Sequence, residues 1–158
     1  MLDNIKSGVL VHGLFDEAMF DQLASEAQEI FVLEGRPNFQ TSKQSIAAFN
    51  KRKITPTLIS DNMAGFLFYK KMVTKVCISY QAEDSRAVLS PIGSLILAVL
   101  GKKHKVPVYL FPSSEGLNLL GKPSDLCLLN GKRIMPKNFK GYVPLVEWVA
   151  KKYITKSE

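Results

Sequence analysis

The 158-residue sequence predicts an α/β fold, a single Rossmann-like parallel sheet with helices on both faces. Three observations predict it. Short apolar runs recur at residues 8–12, 29–33, 55–59, 76–79 and 106–111. Between them lie longer stretches whose apolar residues return at helical spacing. The junctions carry glycine, proline and small polar residues. Strands buried on both faces read as unbroken apolar runs, and strict alternation with helices requires a parallel arrangement.

The elements follow in order. Residues 8–12, a run bounded by glycines, form the first strand. Phe15, Met19, Leu23 and Ala27 share one face of the first helix. Residues 29–33 form the second strand, and residues 40–50 a helix with Ile46 and Phe49 turned inward. Pro56 places the third strand, 55–59, near an entry point or edge, because proline donates no ladder hydrogen bond. Residues 62–71 read as a helix with Met63, Phe66, Leu67 and a basic last turn. After the strand at 76–79 comes a strongly apolar helix, 92–100, with Gly101 expected as its left-handed cap. The fifth strand is 106–111.

Beyond Pro112 the pattern loosens. Residues 126–134 read as a small hairpin around Asn130-Gly131, a two-residue turn signal. Leu145, Trp148, Val149 and Tyr153 predict a closing amphipathic helix. Repeats, linkers and low-complexity stretches are absent from the sequence, so residues 1–158 are expected to make one domain.

Composition narrows the classes. An apolar content of 46% with 22% charged residues is ordinary for a globular protein. No apolar run approaches the roughly 20 residues that cross a bilayer. The first seven residues do not resemble a secretory signal. Cys77 and Cys127 lie in apolar surroundings without metal-ligand spacing, so reduced thiols in a cytoplasm are expected, with no disulfide and no metal site. The net charge is +7, carried partly in Lys51-Arg52-Lys53, Lys70-Lys71, Lys102-Lys103, Lys132-Arg133 and Lys151-Lys152. These read as solvated helix ends and loops, since no single face of the sequence pattern collects them.

Ligands of open parallel sheets bind at the carboxyl ends of the strands. Those ends carry His12-Gly13, Glu34-Gly35-Arg36, Ser60-Asp61-Asn62, Ser79-Tyr80-Gln81 and Ser113-Ser114-Glu115. Such a polar rim suits a phosphorylated or hydroxyl-rich ligand. Arg36 can hold a phosphate bidentately, and amides opening the helix at Asn62 attract anions. Neither GxGxxG nor a Walker motif is present, and no cofactor is expected. His12, Glu83 and Asp84 are the titratable groups nearby. The plainer reading makes His12 a strand-end hydrogen-bonding residue, Glu83-Asp84 a solvated loop and Cys77 a packing residue.

Two motifs narrow the choice further. Glu34-Gly-Arg-Pro-Asn-Phe-Gln40 follows the second strand, and Asp61-Asn62 follows the third. In this order they resemble one family, the methylthioribose-1-phosphate and ribose-1,5-bisphosphate isomerases together with the regulatory subunits of translation initiation factor 2B. The resemblance covers about residues 8–112. It implies that Arg36, Gln40, Asp61 and Asn62 lie at a cleft for a sugar phosphate or nucleotide. It also implies pairing into a homodimer, and with the basic charge it suggests an RNA or translation-factor partner.

Several positions depart from the family pattern. Gly13 stands where the isomerases keep a cysteine, and Tyr80 or Gln81 where they keep an aspartate. Ser90-Pro91 replaces an Asn-Lys pair, and Lys43 an arginine. The isomerases also carry an N-terminal helical domain, after which this chain begins. An aldose–ketose isomerase needs a positioned acid/base group or thiol, and neither Gly13 nor Gln81 supplies one. The expected function is therefore a non-catalytic domain binding a phosphorylated small molecule. The alternative is a minimal phosphosugar isomerase that uses His12 or Glu83.

Overall fold

The computed structural model describes residues 8–157; the expectation about the first seven residues lies outside them. Five parallel strands succeed one another from β1 (Gly8–His12) through β2 (Glu29–Leu33), β3 (Thr57–Ile59), β4 (Lys75–Tyr80) and β7 (Val108–Pro112). With β11 (Lys156–Ser157) they form a six-stranded sheet in the order β11-β7-β4-β1-β2-β3, all pairs parallel. The chain builds outward from β1 to β3, then returns to the other side of β1 at β4. That reversal opens a crevice between the ends of β1 and β4.

The α/β architecture with both faces covered is as expected, and strand alternation shows it. Val9, Val11, Ile30, Val32 and Cys77 face one cluster, which holds Phe15, Met19, Phe20, Leu23 and Phe49 from α1 (Glu17–Glu26) and α2 (Gln40–Lys51) or the loops before them. Leu10, Phe31, Leu33, Val76 and Ile78 face the other, with Leu67 and Phe68 of α3 (Ala64–Tyr69) and Leu97 of α4 (Ser94–His104). Pro56 lies just before β3, an edge strand. Ile46 is only half-buried, unlike Phe49.

The structure corrects the sequence reading at four places. The residues expected to close the chain as a helix form β10 (Val146–Ala150), then a 3-10 turn at Lys151–Tyr153. β10 pairs antiparallel with β6 (Ala87–Pro91), and β6 with β5 (Ala82–Glu83). Val146 and Val149 are both buried, and this spacing of three in a strand imitates a helix. The partner strand lies some 60 residues away in sequence, where only a loop was expected.

Gly101 lies within α4, not at its end, and the left-handed cap is Lys105 at φ 57°. A Cβ at Gly101 would strike Val108 and come within 3.0 Å of the Val106 carbonyl oxygen. Glycine there lets the helix approach β7. The segment expected as one helix from residue 62 is instead a 3-10 turn, Asp61–Met63, followed by the six-residue α3. Glu83 and Asp84 belong to a β5–β6 hairpin: the Asp84 carboxylate accepts from the amides of Arg86 and Ala87 at 2.7 and 2.8 Å. Those two bonds favour the charged carboxylate and hold its pKa below the usual carboxylate range.

After β7 the chain makes an irregular arm with one hairpin, β8 (Leu128–Leu129) and β9 (Lys132–Arg133). Its turn is Asn130-Gly131, with φ 50° and 73°, as the sequence indicates. No helix among the described residues is long and apolar enough to cross a membrane.

Phe49 is fully buried and meets Phe20 edge to face, ring centroids 5.1 Å apart. Phe49→Ala should therefore cost about 3–5 kcal/mol. Ile46→Ala on the same helix should cost far less. Urea unfolding of the two variants measures the difference.

Candidate functional site

The crevice between β1 and β4 places His12 at the end of β1, 3% exposed. Its Nε2 lies 2.8 Å from the carbonyl oxygen of Ile92. A carbonyl only accepts, so Nε2 carries the proton and Nδ1 presents a lone pair. Nδ1 has no hydrogen-bond partner among the described residues. Burial holds the imidazole below its ordinary pKa, while the Ile92 carbonyl and the charges of Asp61 and Glu147 pull the other way. At neutral pH His12 is a neutral acceptor.

The loop after β2 forms the opposite wall. The two carboxylate oxygens of Asp61 accept from the amides of Gly35 and Arg36, both at 2.9 Å. The Ser42 hydroxyl donates to the Glu34 carbonyl at 2.7 Å, tying α2 to the same loop. So fixed, the loop aligns Gly35, Arg36, Asn38 and Thr41 with His12, Pro91, Ile92, Leu117 and Leu145 around a small cavity of about 10 Å³, the space of one water. Thr41 Oγ1 is buried and, like His12 Nδ1, unpartnered.

The Arg36 guanidinium makes no ion pair among the described residues. It lies 5.2 Å from the centroid of the Phe39 ring and makes a long 3.5 Å contact with the Leu126 carbonyl. Arg36 also lines a second, larger groove of about 520 Å³ with Leu126, Met135, Pro136, Lys137, Asn138 and Phe139. The arginine thus stands on the border between a polar cavity and an apolar groove.

Much of the remaining rim braces the structure. Ser79 Oγ accepts from the Leu14 amide at 3.0 Å. Gln44 accepts from the Phe15 amide and donates to Ser114. Gln81 brackets Leu117, donating to its carbonyl and accepting from its amide. Glu147 caps α4 by accepting from Gly93 and Leu95 at 2.8 and 2.9 Å. Gly13 packs so tightly on Ser79 that a Cβ would lie 2.5 Å from the serine Cβ. A cysteine there would have to displace β4.

The residues singled out from the sequence therefore separate. His12 and Arg36 line one cavity. Asp61 braces its wall. Gln40 opens α2 next to Thr41, and its amide contacts Asn38 Oδ1 at 3.3 Å. Asn62 is exposed on the 3-10 turn, and the six-residue α3 is too short to offer the anion site expected of a helix start. Glu83 pairs with Lys151 at 2.7 Å on an outer strand, away from the cavity. Thr41, Asn38 and Glu147 were not foreseen. Asn38 sits inside the quoted motif and Thr41 directly follows it, but Glu147 carries no sequence signal.

Residues 6–157 match the model of the initiation factor 2 subunit family. The chain belongs to that family. Its curated relatives include the methylthioribose-1-phosphate isomerase of Thermus thermophilus, 27% identical over 143 residues, covering 81% of this chain and 42% of the relative. A putative methylthioribose-1-phosphate isomerase of Archaeoglobus fulgidus is 30% identical over 131 residues, covering 75% and 39%. This family member thus spans about two-fifths of the length of those relatives. Among solved structures, the translation initiation factor eIF-2B subunit delta of A. fulgidus superposes with a TM-score of 0.83 at 21% identity, over 97% of this chain and 52% of that one. The 5-methylthioribose 1-phosphate isomerase of Pyrococcus horikoshii does so with 0.83 at 18%, over 99% and 51%. At these identities the superpositions establish the shared fold.

The neutral His12 sets a pH dependence. Its unfolded pKa is about 6.5, and its folded value is lower. Below about pH 6.5 the unfolded chain binds a proton that the folded one refuses, so stability falls as pH falls through that window. Thermal melts from pH 8 to 5 should show this loss, and His12→Gln should flatten the profile. Equal slopes for both proteins would refute it.

Proposed function

We propose that the cavity and groove sharing Arg36 bind a sugar phosphate, and that binding is the function this geometry supports best. The observation that carries the reading is the place of Arg36, with its guanidinium outside any ion pair among the described residues and a border on both spaces. A phosphate suits the guanidinium. The small cavity has room for one water, which can donate to His12 Nδ1 and link it to a sugar hydroxyl outside. Leu126, Met135, Pro136 and Phe139 suit an apolar substituent, and about 520 Å³ is the size of a small-molecule site. Gly13, Tyr80 and Gln81 supply neither thiol nor carboxylate.

A second reading is aldose–ketose isomerisation of such a ligand, with His12 Nδ1 as the proton acceptor. The relatives named methylthioribose-1-phosphate isomerase favour it at least as strongly as the first reading. The unpartnered Nδ1 is the feature of the site that suits it.

Calorimetry with methylthioribose 1-phosphate tests both. Arg36→Ala should weaken binding roughly ten- to hundredfold, equivalent to about 1.5–3 kcal/mol. Arg36→Lys should recover only part, because a point charge cannot make the paired geometry. Unchanged affinity with a lowered melting temperature would make Arg36 structural. Turnover abolished by His12→Gln would replace the binding reading with the isomerase one.

We also propose that two copies pair through the apolar surface of the arm, where Leu119, Leu120 and Tyr142 are 63%, 58% and 80% exposed. Sedimentation at micromolar concentration should show a dimer, and a 17.6 kDa species alone would refute it.

A further inference from the structure

The opposite end of the sheet, where the strands begin, carries a second feature. The sequence scatters its lysines in pairs, but the fold gathers three of those pairs. α4 ends in Lys102, Lys103 and His104, with Lys105 as its cap. The 3-10 turn at Lys151–Tyr153 packs beside that end, where Lys102 Nζ donates to the Lys152 carbonyl at 2.9 Å. Phe68 of α3 lies beside His104, ring centroids 5.7 Å apart, so the end of α3, which runs into Lys70 and Lys71, packs on the same side of the sheet as the end of α4.

A groove of about 310 Å³ opens between these elements, lined by Gly101, Lys102, Lys105, Val106, Lys152 and Tyr153 among others. Among the described residues, no carboxylate lines it. None of Lys70, Lys71, Lys102, Lys103, Lys105 and Lys152 forms an ion pair among the described residues, where the lysine pairs are those of Lys75 and Lys151. The ends of α3 and α4 attract cations by their dipoles. That explains Lys102 and Lys103 but not Lys152, which lies on a separate turn.

We propose that this groove binds single-stranded nucleic acid through its phosphates, without reading its bases. Lysines are flexible point charges, suited to tracking a repeating anion. A groove of about 310 Å³ is the size of a few nucleotides of one strand, not of a duplex segment. Lys152 Nζ covers the Tyr153 ring at 5.0 Å, which leaves the groove little aromatic surface for stacking. The site is separate from the His12 cavity, at the other end of the strands, and does not depend on the sugar-phosphate reading.

Fluorescence anisotropy with a labelled oligouridine of about 20 nucleotides, repeated across salt concentrations, tests it. The triple variant Lys102→Gln, Lys105→Asn, Lys152→Gln removes three charges. The asparagine respects the left-handed backbone at position 105. Affinity should fall at least tenfold, and the slope of log affinity against log salt should shrink by about 2. The loss of the Lys102 hydrogen bond to the Lys152 carbonyl should lower the melting temperature only slightly, so the variant stays folded at the assay temperature. Removing three charges elsewhere, with Lys51→Gln, Lys132→Gln and Arg133→Gln, should change affinity by less than about twofold. The proposal is overturned if the wild type does not bind, if the two triple variants behave alike, or if polyglutamate of equal charge displaces the probe as well as unlabelled oligouridine does. The last result would point to an acidic protein instead.

Discussion

Asp61 holds the amides of Gly35 and Arg36 on its two carboxylate oxygens, and the site is arranged around that grip. β3 pairs in parallel with β2, so the residues that follow each strand emerge side by side. The carboxylate reaches the neighbouring loop with little adjustment, and two amides that would otherwise lack partners are satisfied. A charged acceptor strengthens both bonds. Because Asp61 serves the backbone, it does not neutralise the Arg36 side chain, which is left facing the cavity and the groove. The same carboxylate acts at longer range on His12. One residue thus positions the cation and influences the imidazole.

The rest of the rim is occupied by side chains that brace the crevice. Gly13 and Ser79 bring β1 and β4 closer than a side chain at position 13 allows. Gln81 is committed to Leu117 through both ends of its amide. These contacts stabilise the crevice and occupy the positions where the resemblance puts a thiol and a carboxylate in the isomerases. What remains is a neutral imidazole, a buried hydroxyl and a guanidinium. Of that set, His12 is the member with a free lone pair on an uncharged ring, and Arg36 carries the charge.

Parallel topology also separates the two ends of the molecule. Every helix linking parallel strands runs back against them, so helix C-termini collect where the strands begin. Lysines placed to complement the dipoles of α3 and α4 therefore accumulate at one end. Polar loops, with Arg36 among them, gather at the other.

How much of this was legible in the sequence follows from the range of the interactions. The five strands were readable because burial writes apolar runs into local sequence, on both faces for β1, β2, β4 and β7 and less completely for the edge strand β3. The Asn130-Gly131 turn was readable because two positive φ angles demand those residues. Arg36 and His12 were readable because they end strands. β6 and β10 were not, since each is a strand only through pairing with the other across 87–91 and 146–150. Gly101 looked like a cap because its real constraint, contact with Val108, lies in another element. By itself the sequence determined the sheet, its covered faces and the polar residues at its carboxyl end. The tertiary structure alone decided which of those residues brace and which face the cavity. It also decided that lysines some 50 residues apart in sequence share one groove. Hydrogen-bond partners and charge clusters depend on distances that only the folded chain defines.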